Sequence, residues 1–269
     1  MLRKLLKYEF KSTSRLLLIL YAAILVLGLV LGFAGRTTIF DFMLDAMPYR
    51  DIPNQQYITL MILGIIYMAL IMILMIITFV IVLERFYKNL LGGEGYLMHT
   101  LPVPTWMLIL SKLICAFVWE ILAIVVCILS VILMISSAGI WSYILKEYDF
   151  LIQAISERIN LNFALGIVGA IIGSLSGILM FYFAMAVGGS AKKHKLFFSV
   201  LTFIAVLIII SIIESVTNFS FIREVAYDSS LLSSAFTTAY VKEIVTNIIY
   251  GVIFFLGTNF FLKHRLNLE

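Results

Sequence analysis

Few side chains in this sequence can do chemistry. Its three histidines, His99, His194 and His264, fall on three different segments, each at the edge of an apolar run. An edge histidine with no second ligand at chelating spacing reads as a polar surface residue. There is no H-E-x-x-H and no G-x-x-x-x-G-K-[ST], so neither a zinc-protease helix nor a phosphate-cradling loop is present. "GGSAKKHK" (188–195) holds glycines and lysines at the wrong spacing for such a loop. Cys115 and Cys127 stand on one predicted helix, about 18 Å apart along its axis. A disulfide needs Cα atoms within about 7 Å, so these read as small packing residues.

Glu120 is the main ionisable group inside an apolar stretch. A charge at mid-span costs about 2.5–3.5 kcal/mol on insertion scales, so such a residue is a functional candidate by default. It lies about 12 Å beyond Lys112 on the same helix. With Lys112 at the headgroups, that is about a third of the way into the bilayer. Two readings stay open. One is a residue of a transport pathway. The other is a carboxylate hydrogen-bonded to a neighbouring helix or reaching back to the interface. No histidine or aspartate stands at a matching depth, which argues against a polytopic membrane enzyme with paired acid and base groups. Lys242 and Glu243, before the last apolar run, read as outer-edge charges.

The elements that carry these residues follow from composition. Of 269 residues, 63% are hydrophobic and 13% charged. A soluble domain of this length needs roughly twice that charge fraction. We therefore expect an all-α polytopic membrane protein in contact with the lipid bilayer. A span takes about 20 mostly apolar residues. Six runs qualify: 16–34, 58–83, 105–136, 163–188, 196–213 and 244–262. The fifth is short at 18 residues, so it either tilts little or continues into the next loop. A tail, 263–269, follows the last.

Charge sets the orientation. With the N-terminus cytoplasmic, the inner side takes the five basic residues before the first span, then Arg85, Lys88, Lys112, Lys192, Lys193, Lys195, Lys263 and Arg265. Most acidic residues fall in the outer loops. The basic bias places both termini in the cytoplasm. These basic clusters are explained by topology, and no nucleic-acid partner is expected. The apolar run 16–34 is too long for a typical cleaved signal peptide, and five further runs follow it. Residues 1–15 show helical periodicity, with Leu2, Leu5, Leu6 and Phe10 on one side and Arg3, Lys4, Lys7 and Lys11 on another; Glu9 breaks the apolar side. This predicts an amphipathic N-terminal elbow helix in the membrane surface.

The segment "GGEGYLMHTLPVPTWMLILSK" (92–112) is punctuated where the rest is continuous. Gly92 and Gly93 end the second span's helix. Glu94 to Leu101 then forms one or two turns, with Leu97 and Leu101 on one face. Pro102 and Pro104 end it and release a new helix at about Thr105. The outcome is a short exposed helix across the membrane base, or a structural turn. In the fourth span Gly169, Gly173 and Gly177 recur every four residues, a small-residue row that admits another helix closely. Packing within the chain is the preferred reading over a dimer contact.

These residues carry a resemblance. The basic opening "LRKLLKYEFK", the segment "EGYLMHTLPVPTWMLILSKL" and the ending "LNLE" are similar to permease subunits of ABC-2 type bacterial exporters. The resemblance spans the chain and implies the following. Two permease chains, identical or similar, pair, and each docks a separate ATP-binding subunit in the bacterial plasma membrane. Glu94, Tyr96, Leu97, Met98, His99, Leu101 and Pro102 form the coupling helix and its end. Lys192, Lys193 and Lys195 make a smaller contact. Glu214 to Ala239 folds as short helices dipping into the outer leaflet. No cofactor is bound by this chain; ATP is used by the partner. Larger relatives carry extended domains that are absent here, which leaves peptide, antimicrobial or lipid-like cargo open. The alternative to an exporter subunit is an ion-coupled transporter. That reading asks for ionisable sites near the midplane, and the chain offers Glu120 alone.

Overall fold

In a computed structural model the chain is described over residues 2–36, 54–92, 95–100, 102–139, 148, 152–153, 156, 159–191, 193–227 and 232–265. Seven α-helices are described: α1 (Leu2–Ala34), α2 (Asn54–Phe86), α3 (Gly95–His99), α4 (Thr105–Ser137), α5 (Leu161–Gly189), α6 (Lys195–Tyr227) and α7 (Leu232–His264). All but α3 are long and apolar enough to cross a membrane. No described helix contains a proline, and no strand occurs among the described residues. The protein is a multi-pass membrane-helical chain.

The helix bounds differ from expectation in two places. Residues 1–15 are not set apart as an elbow: α1 runs unbroken from Leu2 to Ala34. Ser and Thr near the expected break back-bond to their own helix, Thr13 Oγ1 to Glu9 O at 2.9 Å and Ser14 Oγ to Lys11 O at 3.2 Å. No glycine or proline interrupts the turn. The expected faces do appear, with Arg3, Lys4, Lys7 and Lys11 exposed and Leu2, Leu5, Leu6 and Phe10 half-buried. The second difference is at 214–239. Instead of short dipping helices, α6 continues to Tyr227 and α7 begins at Leu232. This segment is rich in Ser and Phe and low in hydropathy, but it contains no helix breaker.

The helices form two compact units. One comprises Met1–Leu6, Leu83–Phe117 and Ser156–Glu269; the other comprises Lys7–Val82 and Val118–Ile155.

In the second unit α1 buries a single stripe of Glu9, Thr13, Leu17, Tyr21, Ile24, Gly28 and Gly32, spaced by three or four residues. That spacing keeps one face inward on a 3.6-residue period. The stripe packs on α4 in parallel. A methyl group on Gly28 would fall 2.7 Å from Ser130 O, and one on Gly32 would collide with Met134 O and Ser137 Oγ. Polar bonds lock the same contact. Trp119 Nε1 donates to Thr13 Oγ1 (2.8 Å), Tyr21 Oη to Trp119 O (2.9 Å), Tyr67 Oη to Ser130 Oγ (2.8 Å) and Ser130 Oγ to Ile24 O (2.9 Å). Lipid tails are as apolar as leucine, so close backbone approach and hydrogen bonds must supply the helix association.

In the first unit α5 and α7 are the main pair, and they run parallel. Gly166 faces Tyr240, Gly169 faces Ile244, Gly173 faces Asn247, and Ser176 faces Gly251. Asn160 caps α5, its Oδ1 accepting from Phe163 N–H at 3.0 Å. Thr237 Oγ1 donates to Asn162 Oδ1 at 2.7 Å and fixes that end of the pair. Aromatic rings fill the other end. Phe86 stacks on Tyr182 with centroids 3.8 Å apart, and Phe183 lies against Phe254 and Phe261. Gly257 sits under the Phe183 ring, where a methyl would meet Cε2 at 2.6 Å. α6 returns antiparallel to α5, with Phe203 stacked on Phe181 and Ser199 against Gly188.

Candidate functional site

One end of the first unit gathers the segments that the sequence marks for docking. The exit from α2 is a π-helical turn, Tyr87–Leu91, closed by Gly92 N–H on Tyr87 O at 2.9 Å. Gly92 is at φ −89°, so the helix stops without a left-handed residue. Its glycine is needed for space instead: a methyl there would lie 2.8 Å from Lys88 O. Gly95 N–H then bonds Gly92 O at 2.9 Å and starts α3. Its described part, Gly95–His99, is a single turn, within the one or two turns expected of this segment. Thr100 N–H closes it on Tyr96 O at 3.2 Å. Pro102 is exposed, and α4 starts at Thr105, where the prolines predict it.

Neighbouring elements pin this turn. Thr105 Oγ1 donates to Asn259 Oδ1 of α7 at 2.6 Å. Gly189, at the end of α5, packs on Leu91, whose Cδ2 would be 2.7 Å from an added methyl. The α5–α6 connection lies beside them. It turns through His194 at φ 55°, a left-handed conformation uncommon outside glycine. A cleft lined by Ser190, Phe260, Phe261, His264 and Arg265 opens between the ends of α5 and α7. The single turn α3, the α5–α6 connection and the end of α7 thus share one end of the unit.

Within α3, Tyr96 is 68% exposed and Met98 half-buried. Such an aromatic on a five-residue helix has no lipid-spanning role and is available to a protein surface. Glu94, Leu101 and Lys192 lie outside the described residues, as do the side chains of Leu97 and His99. Lys193 is exposed, and Lys195 is half-buried at the first position of α6.

Lys112 is enclosed by protein. It is 4% exposed, between buried Leu108, Ile109, Ser111, Leu113, Cys115 and Ala116. From sequence it reads as a topology charge at the headgroups, and its cover by neighbouring side chains is what the structure adds. The available signal was the run of small residues around it, Ser111, Cys115 and Ala116, which marks a helix packed on several sides rather than facing lipid. Glu9 is likewise buried, at 6% exposure.

Glu120 lies in the second unit, directly after Trp119, and is half-buried. No hydrogen bond or ion pair engages its carboxylate among the described residues. The next residues, Ile121 and Leu122, are exposed. In the small-residue row of α5, a methyl on Gly169 or Gly173 would meet α7 at an ordinary contact distance, 3.7 Å, and one on Gly177 would meet nothing within 4 Å among the described residues. The tightest approaches are at Gly28, Gly32, Gly188 and Gly257 instead. Cys115 and Cys127 are free thiols. No group of three His, Cys, Asp or Glu able to hold a metal occurs among the described residues.

No protein-family model, curated protein or solved structure matches the chain. The geometry is that of a helical membrane domain with one structured, partly aromatic end and no assembled acid–base or metal centre among the described residues.

Proposed function

We propose that this chain is the membrane-spanning subunit of an ATP-driven exporter, and that a separate ATP-binding subunit docks on α3 and the adjoining α5–α6 connection. The observation that carries the reading is the tethering of α3. A five-residue helix held between Gly92 and Pro102 is bonded back to the α2 exit and flanked by Leu91, which packs on Gly189 of α5, and by Thr105, which bonds Asn259 of α7, so a push on its surface reaches those helices through its two anchors. The resemblance to ABC-2 permeases supports the same assignment, with two permease chains per transporter and peptide, antimicrobial or lipid-like cargo moved outward. The lack of a phosphate-binding loop in the sequence fits a division of labour in which the partner hydrolyses ATP.

Glu120, half-buried and without a hydrogen bond or ion pair among the described residues, is the one observation favouring an ion-coupled transporter. Affinity purification from native membranes in mild detergent separates the two. The exporter reading expects a stoichiometric ATP-binding subunit and ATPase activity. Tyr96→Glu is expected to release that subunit while the permease stays monodisperse. Absence of any ATPase across several detergents overturns the reading.

A further inference from the structure

The end of α7 carries positive charge that its surroundings do not balance. Lys263, His264 and Arg265 are all exposed. α5 holds no acidic residue, and α7 holds none after Glu243, about 32 Å along the helix from His264. Among the described residues the Arg265 guanidinium makes no hydrogen bond or ion pair. A basic residue that only sets topology needs no more than the membrane surface around it. Lys263 is of that kind. Arg265 and His264 differ, because they line the cleft of about 580 Å³ between the ends of α5 and α7.

The helix period explains this division. Phe261 lies against Phe183 of α5, so its side of α7 faces that helix. Arg265 N–H closes the last turn on Phe261 O at 3.0 Å, which sets Arg265 one turn beyond Phe261 on the same side. Lys263 is about 160° around the helix from Arg265 and does not line the cleft. Phe260 and His264, also one turn apart, form the outer lip. Their ring centroids are 5.1 Å apart, and His264 Nδ1 lies 3.3 Å from Phe260 O. A carbonyl only accepts, so Nδ1 carries hydrogen and Nε2 is left for an occupant. Ser190, its hydroxyl bonded to Val187 O at 2.6 Å, completes the wall on α5.

The outer lip is continuous with an apolar track. Ile249, Ile253, Leu256 and Phe260 are each more than half exposed. Spacings of four, three and four residues keep them on one face of α7, and His264 continues that face. From Ile249 to Phe260 is about 17 Å. One leaflet of hydrocarbon is about 15 Å thick, half of the bilayer core. A track of one leaflet's depth thus ends at a cleft whose donors are a guanidinium and an imidazole.

That combination selects the occupant. Basic pockets between spanning helices take anionic lipid headgroups. The planar fork of a guanidinium matches two oxygens of a phosphate. A free phosphate would use the cleft and leave the track without a role. A zwitterionic lipid would bring its own cation beside Arg265.

We propose that the cleft between α5 and α7 binds an anionic phospholipid, its phosphate on Arg265 and His264 and one acyl chain along Ile249, Ile253, Leu256 and Phe260. The site does not depend on the docking of an ATPase on α3.

The test uses the full chain in dodecyl maltoside at about 0.15 M salt, where screening acts beyond about 8 Å. The probe is phosphatidylglycerol with a fluorescent acyl chain, and phosphatidylcholine with the same chain is the comparison. Saturable binding of phosphatidylglycerol is expected, at least about tenfold tighter than that of phosphatidylcholine. Arg265→Gln should weaken it about tenfold, the loss of one charge-assisted contact. Lys263→Gln removes the same charge outside the cleft and should weaken it less than about threefold. Equal binding of the two lipids by the unaltered chain overturns the proposal, and this comparison needs no variant to fold. Equal effects of the two variants overturn it as well, because the attraction is then that of a charged surface and not of the cleft. If glycerol phosphate displaces the probe as effectively as unlabelled phosphatidylglycerol, the cleft takes a free phosphate and the lipid assignment fails.

Discussion

The two units solve the same problem with different materials. The unit of Lys7–Val82 and Val118–Ile155 joins its helices by glycine and hydrogen bonds, with Gly28 and Gly32 seated on the backbone of α4 and four side-chain hydroxyl or indole bonds between helices. The unit containing α5, α6 and α7 adds aromatic rings to one backbone approach, that of Gly188 to Ser199 and Lys195, with Phe86 on Tyr182 and Phe183 against Phe254 and Phe261. Both avoid dependence on the hydrophobic effect, which vanishes when lipid replaces water as the reference. They differ in tolerance. A backbone contact cannot move aside for an added methyl. A ring can rotate or slide.

That difference is open to breakage in graded steps. Phe86 is fully buried, and Phe86→Ala should cost about 3 kcal/mol, the low end for a truncated phenylalanine because lipid is the alternative environment. Unfolding in a mixed-detergent titration measures it. Gly28→Ala should cost about 2 kcal/mol by overpacking, whereas Gly177→Ala, with open space around it, should stay within about 0.5 kcal/mol. Equal stability of those two variants would end the claim that the backbone of α4 leaves no room for a methyl at Gly28. Trp119→Phe removes one interhelical bond and leaves Thr13 bonded to Glu9 O, so about 0.6 to 1.7 kcal/mol is expected in the same titration. The smallest effect belongs to Tyr67→Phe, at about 0.6 kcal/mol or less, because Ser130 keeps its bond to Ile24 O.

The six spans were legible because hydropathy and length report directly on lipid burial. So were the stop at Gly92 and the restart at Thr105, which follow from local backbone chemistry. What escaped were facts about partners. Gly169, Gly173 and Gly177 advertise a smooth helix face, but the spacing does not say whether the facing helix presents backbone or a side chain. Gly28 and Gly32 carry the same spacing and do meet backbone. The burial of Lys112 was not legible, because a lysine near a span's start reads as a topology charge until its neighbours are known to enclose it. The shortness of the fifth apolar run left its continuation into the next loop open, but its extent to Tyr227 and the early start of α7 were not readable, because the resemblance implied short dipping helices there and hydropathy does not report a helix that no glycine or proline ends. In the candidate docking region the existence of a short helix was readable and its seat beside α5 and α7 was not. That seat depends on contacts such as Thr105 with Asn259, far apart in sequence.

The parallel pairing of α5 with α7 also imposes a timetable on synthesis. The partner of Asn162 is Thr237, 75 residues later in the chain. At roughly 5–20 residues per second, α5 is made about 4–15 s before the helix that covers it. Through that interval its amide and its glycine face sit in the bilayer or the insertion machinery without their final neighbour, while α6 is threaded back the other way. Slowing translation between 190 and 232 lengthens this bare period, and membrane proteases have that much longer to act on the nascent chain.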